Sequence, residues 1–139
     1  MEIEDRILEE IHLENGLTVY LVDQSRPIVG GRWQVQLLVR VPLEPQAAHF
    51  EKFPDPSEAF REFTSLAADT PLEFQIVKVR NFIDESRLQE TLEQMKDDFT
   101  RSALEYLKKP GFAASFILKK FEELRGKKAS SQRRKELGG

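Results

Sequence analysis

The segment 32–42 constrains this chain most. Trp33, Val35, Leu37, Val39 and Val41 fall on one side of a period-two repeat, and Arg32, Gln34, Gln36, Leu38 and Arg40 fall on the other. Successive side chains of an extended chain point to opposite faces. The pattern predicts a strand with one buried face and one largely polar face, as in a sheet solvated on one side. It ends at Pro42, which has no backbone donor to continue a ladder.

Such a strand needs neighbours. Upstream, Leu17, Val19 and Leu21 alternate with Thr18, Tyr20 and Val22, again with period two and β-branched residues. Before them stands Glu14-Asn15-Gly16, whose Asn-Gly pair suits the positive φ of a hairpin turn. Residues 6–13 and 17–24 are therefore read as an antiparallel hairpin. The stretch 23–31, with Pro27 and Gly30-Gly31, is read as a loop. A fourth strand is expected over 72–80, where Leu72, Phe74 and Ile76 alternate with Glu73, Gln75 and Val77.

Helices occupy the rest. After the irregular connection 42–54 with its three prolines, Asp55-Pro56-Ser57-Glu58 reads as a helix start, with Asp55 as N-cap and Pro56 in the first turn. Such a cap contributes about 1 kcal/mol. Ala59, Phe60, Phe63, Leu66 and Ala67 make the stripe of that helix. A long helix capped by Asp84 or Ser86 carries Leu88, Leu92, Met95, Phe99, Ala103 and Tyr106 on one face and ends at Pro110-Gly111. A last one, with Phe112, Ala113, Phe116, Ile117, Phe121 and Leu124, is expected to stop at Gly126.

The fold class expected is α+β: a mainly antiparallel four-stranded sheet, in the order strand-strand-strand-helix-strand-helix-helix, with helices packed on one face. Read as a right-handed crossover, the helix at 56–68 pairs the third and fourth strands in parallel. One domain is expected over 1–126, followed by a basic, disordered tail over 127–139. That tail holds Lys127, Lys128, Arg133, Arg134 and Lys135 against Glu136, so it is +4 and leaves −7 on the rest of a chain whose net charge is −3.

Composition excludes several chemistries. There is no cysteine, hence no disulfide, thiolate metal site or cysteine nucleophile. The opening Met1-Glu2-Ile3-Glu4-Asp5-Arg6 has no apolar core of a secretory signal, and no apolar run is long enough to span a bilayer. A cytoplasmic protein with no cofactor is the expectation.

Candidate sites are few. The loop holding Ser25, Arg26, Gly30-Gly31, Arg32 and Trp33 gathers guanidinium groups, a hydroxyl and an indole. Guanidinium groups bind phosphate or carboxylate bidentately, and an exposed indole stacks on a ring. Arg40 shares the polar face of the strand with Arg32, so these residues are the candidate ligand-binding set for an anionic small molecule or nucleotide. The plainer reading makes the arginines solvated and Trp33 the start of the buried face. Asp23-x-Ser25 matches two residues of the second motif of cyclic-dinucleotide-binding PilZ domains. Ile28 stands where that motif has glycine, and Arg6 has no partner arginine at the required spacing. The segment 15–42 resembles small uncharacterised bacterial α+β proteins, a resemblance that implies no activity.

His12 and His49 are the only histidines, and the His49-x-Glu51 pair lacks the downstream cysteines of a zinc deaminase. Ser25 and Ser57 have no nucleophile elbow around them. The pairs Glu9-Glu10, Asp97-Asp98 and Glu122-Glu123 read as solubilising surface, because adjacent helical residues do not share a face. The basic tail suits an anionic partner, but the acidic body opposes nucleic acid. Leu38, Leu104 and Leu107 are left over from the main stripes and suggest a subunit contact. The leading expectation is a non-enzymatic interaction or regulatory module acting through self-association or a protein partner. The alternative is the anionic-ligand domain built on Arg26, Arg32 and Arg40. An enzyme is the third and weakest.

Overall fold

A computed structural model describes residues 5–68 and 70–137, with side chains to Ser130. It is α+β, as expected, and divides into two compact units: residues 1–42 with 73–110, and 43–72 with 111–139.

The first unit is the sheet. Its strands are β1 (Arg6–His12), β2 (Thr18–Asp23), β3 (Arg26–Pro27), β4 (Arg32–Pro42) and β5 (Glu73–Asp84). The four long strands run in the order β1-β2-β4-β5, every neighbouring pair antiparallel, and the two-residue β3 adds to β4 beyond the end of β2. The 6–13/17–24 hairpin is present. Its turn uses three residues, with Gly16 at φ +89° between Leu13 and Leu17, whose backbones bond at 2.8 Å. This is the three-residue loop in which only glycine fits the left-handed position. Asn15 donates its amide to Leu107 O at 2.8 Å and Lys109 O at 3.2 Å, satisfying one carbonyl at the end of a short helix and one just past it.

The parallel crossover is corrected: β4 and β5 pair antiparallel, from Pro42↔Glu73 to Arg32↔Asp84. The physical reason is that the chain leaves β4 and re-enters β5 at opposed residues, so the whole of 43–72 is an insertion into a hairpin. Leu43 N–H donates to Leu72 O at 2.9 Å and closes its base. The stretch read as a loop over 23–31 contains β3, and β5 runs four residues beyond the expected Arg80.

On one sheet face Val19, Leu21, Val35, Leu37, Val39 and Val41 are fully buried. Helix α2 (Leu88–Ser102) lies against β4 and β5 and buries Leu92, Met95 and Phe99. Burying each such side chain stabilises by about 1.5–3 kcal/mol. Lys96 of α2 reaches Glu9 of β1 at 3.2 Å, on the same face as Leu21. The helix start differs from expectation. A 3₁₀ turn over Glu85–Arg87 leads into Leu88: Asp84 makes no side-chain cap hydrogen bond, Ser86 lies inside the turn with its hydroxyl on Asp84 at 3.5 Å, and the N-cap position of the helix falls to Arg87, which makes none either.

The end of the helix differs too. Its regular course breaks at Ala103 (φ −110°), and a short helix α3 follows over Leu104–Leu107. Thr100 and Ser102 hydroxyls bond back to the carbonyls four residues earlier, at 3.0 and 2.6 Å, a habit that bends helices. Past the break Leu104 and Leu107 are buried, while Tyr106 is 54% exposed. Leu38 is buried as well. The three leftover positions that suggested a subunit contact are therefore spent inside the chain.

The second unit holds α1 (Pro56–Ala67) and α4 (Phe112–Leu137). Asp55 Oδ1 accepts the Glu58 N–H at 3.2 Å, the expected cap. The buried core is Phe50, Ala59, Phe63, Ile117 and Phe121, with Phe53, Phe60 and Leu124 packed against it. Arg125 lies over the Phe121 ring, 4.0 Å from its centroid, and pairs bidentately with Glu62. The expected stop at Gly126 is corrected: α4 continues through it to Leu137. One glycine costs a helix only about 1 kcal/mol, too little to end one flanked by helix formers such as Arg125, Lys127 and Lys128. Side chains of the tail beyond Ser130 lie outside the described residues.

Candidate functional site

The face of the sheet opposite Leu37 and Val39 is built by register. Three rows cross it. Tyr20, Arg40 and Gln75 form the first, through the pairs Tyr20↔Arg40 and Arg40↔Gln75. Ile7, Val22, Leu38 and Val77 form the second, one residue from each long strand. Gln24, Gln36 and Val79 form the third, Gln24 and Gln36 joined by a backbone bond of 2.9 Å and a side-chain bond of 2.6 Å. The middle row is wholly apolar. Its inner members Val22 and Leu38 are buried, but its ends stand in solvent: Ile7 is 56% and Val77 53% exposed. Val79 adds to the exposed side on β5.

β5 is also an edge. Among the described strands its only partner is β4. Between Trp33 and Val35 the register slips, so that β5 carries an extra residue, and there Phe82 takes φ +59°. Positive φ is costly for a bulky residue and persists where surroundings enforce it. The bulge turns Phe82 out to 71% exposure. Gln34 of β4 donates to Asn81 at 2.9 Å beside it.

The ligand residues expected from sequence do not converge. Ser25 is buried, its hydroxyl accepting the Gln36 N–H at 3.1 Å and its own N–H donating to Asp23 Oδ1 at 2.9 Å, so it ties the end of β2 to β4. Arg26 is exposed and donates to Gln34 at 3.1 Å. Arg32 is exposed opposite Asp84. Trp33 is half-buried between Pro27 and Ile83. Arg40 is eight positions along β4 from Arg32, about 27 Å at the rise of a strand. It is also engaged, donating to Glu73 at 2.7 and 3.3 Å. Arg26 and Arg32 thus share one end of the sheet, and Arg40 belongs to the other.

That ion pair shifts the titration of its carboxylate. The hydrogen bond from Arg40 holds the Glu73 carboxyl below the usual carboxylate range; partial burial opposes the shift, and the Gln75 amide at 2.9 Å assists it. A carboxyl depressed in the folded state contributes stability above its unfolded pKa and loses it as pH falls through the folded one. Wild type should therefore exceed Glu73→Gln in unfolding free energy above about pH 4.3, by about 0.2–1 kcal/mol. Urea midpoints measured from pH 7 to pH 2.5 should show that difference vanish in acid. A difference independent of pH would refute the assignment.

The histidines are occupied separately. His12 Nδ1 meets Thr18 Oγ1 at 3.1 Å, whereas His49 Nδ1 accepts the Gln46 N–H at 3.0 Å in the cap of a short turn. Among the described residues no cluster of three acidic or histidine side chains could hold a metal ion. No helix among them is long and apolar enough to cross a membrane. The second unit has an apolar cleft of about 350 Å³ lined by Leu43, Pro45, Phe60, Thr64 and Leu72. The Thr64 hydroxyl donates to Phe60 O at 2.9 Å, and Glu44 and Thr70 add a carboxylate and a second hydroxyl to the lining. Comparison with protein-family models, curated proteins and solved structures finds no match.

Proposed function

We propose that this chain is a non-enzymatic interaction module, and that the outer edge of its sheet, with the exposed ends of an apolar row, receives another polypeptide. The observation that carries the reading is the apolar row Ile7-Val22-Leu38-Val77, which crosses every long strand and ends in solvent on both sides. Exposed apolar surface flanked by polar groups is typical of protein-binding sites. Glutamines on one side and the Arg40–Glu73 pair on the other give this row such a rim.

The alternative, an anionic-ligand domain, keeps Arg26 and Arg32 in its favour, both exposed and without an ion pair among the described residues. It loses Arg40 to Glu73.

One selection separates the two. A displayed library of random peptides is panned on immobilised full-length chain. The module reading expects peptides rich in β-branched residues, retained by wild type and by Arg26→Ala/Arg32→Ala but at least tenfold less by Ile7→Lys. No enrichment, or equal retention by Ile7→Lys, overturns it. Enrichment of acidic peptides lost in the arginine double variant favours the alternative.

A further inference from the structure

Resting on the interaction-module reading, we infer that the polypeptide received at β5 is a second copy of this chain, its β5 pairing antiparallel with the first about a two-fold axis at Val77. Edge strands present rows of backbone donors and acceptors that template pairing. The two edges of this sheet differ as templates. β1 has seven residues, is bulged between Ile7 and Glu9, and carries adjacent acids Glu9 and Glu10. β5 runs without proline or register slip from Glu73 to Arg80, and Asn81 and Phe82 then form its bulge.

Charge selects the register. In a two-fold antiparallel pair, residues equidistant from the axis oppose each other, and like charges directly opposed are destabilising. An axis at Lys78 or Arg80 opposes that residue to its own copy, and an axis at Val79 opposes Lys78 to Arg80. Axes at Gln75 or Ile76 avoid this but shorten the overlap, because Glu73 begins the strand. An axis at Val77 sets Lys78 against Ile76, Arg80 against Phe74 and Glu73 against Asn81, so no charge meets its like. The regular overlap then covers 74–80, and Glu73 meets Asn81 where the bulge begins. On the face that carries the apolar row, Val77 meets Val77 and Val79 meets Gln75. The apolar row of one copy continues into that of the other, covering the Val77 side chains that solvent reaches in the single chain.

The absence of cysteine gives a direct test, since one introduced thiol has no competitor. Directly opposed residues of antiparallel strands have Cα atoms about 4.5–5.5 Å apart, within disulfide reach. Val77→Cys should cross-link to itself nearly completely under mild oxidation. Gln75→Cys should not, because its copy lies four residues along the strand, about 13 Å away. Sedimentation should show wild type as a dimer and Val77→Lys with a dissociation constant at least about tenfold higher. A wild type that stays monomeric at the highest concentration overturns the inference, as do larger open assemblies or a Val77→Cys chain that does not cross-link. Cross-linking of Gln75→Cys instead overturns the register. None of these readouts uses Ile7. A monomer that still loses its peptides in Ile7→Lys refutes the second copy and keeps the module, whereas a dimer indifferent to Ile7→Lys that retains no peptides refutes the module's wider reading alone.

Discussion

Phe50→Ala should cost about 3–5 kcal/mol of unfolding free energy, read as a fall in the urea midpoint of far-UV circular dichroism. Phe50 has no solvent exposure. Its ring lies 6.0 Å from Phe53, 5.8 Å from Phe60, 5.6 Å from Phe63 and 5.7 Å from Phe121, centroid to centroid. Truncation removes the ring from the centre of a four-ring cage, and the large side chains around it cannot collapse into the space without leaving their own contacts. Phe50→Leu keeps most of the volume and should cost less than about 1.5 kcal/mol. Phe82→Ala supplies the control, because that ring is 71% exposed. If Phe50→Ala shifts the midpoint no further than Phe82→Ala, the cage is not what holds the second unit together.

Phe50 also shows where sequence reasoning stops. The stripes of α1 and α4 were legible because a helix repeats its buried face every three or four residues. Phe60, Phe63, Ile117 and Phe121 announced themselves in that way. Phe50 sits in a single turn over Ala47–Phe50 inside a proline-rich connection, where no period exists to read. The insertion of 43–72 between paired strands was hidden for a related reason. Alternation places a residue on one of two faces, but says nothing of which strand lies beside it or in which direction. The choice between parallel and antiparallel pairing for β4 and β5 is set by tertiary closure at Leu43 and Leu72.

The candidate site was less legible than the fold. Leu38 was marked as an apolar residue on a polar face, and that was the one trace of the middle row. Seeing the row requires the registers Ile7↔Val22, Val22↔Leu38 and Leu38↔Val77 together. A shift of one residue in any pair would break it. The arginines failed in the opposite way: Arg32 and Arg40 do share a face by alternation, but period two does not measure distance along the strand. Glu73, which engages Arg40, is separated from it by the whole inserted segment.

The second large effect is expected at the end of the helical run. Leu107→Ala should cost about 2–5 kcal/mol and Tyr106→Ala about 1 kcal/mol or less. A continuous helix from Leu88 predicts the reverse, because Tyr106 follows Phe99 by seven residues and shares its face. The break at Ala103 changes the phase. One residue of displacement is 100° of rotation in a helix with 3.6 residues per turn. Leu104 and Leu107, five and eight positions after Phe99, then take the buried side, and Leu107 has no solvent exposure. The hydroxyls of Thr100 and Ser102 carry the argument back to sequence, since each competes for a carbonyl of the turn before it. If that competition sets the phase, Thr100→Ala/Ser102→Ala should straighten the run and shrink the gap between Leu107→Ala and Tyr106→Ala made in that background. A gap unchanged by the double substitution would place the cause of the break in tertiary packing, with the Asn15 amide holding the Leu107 and Lys109 carbonyls as the next group to remove.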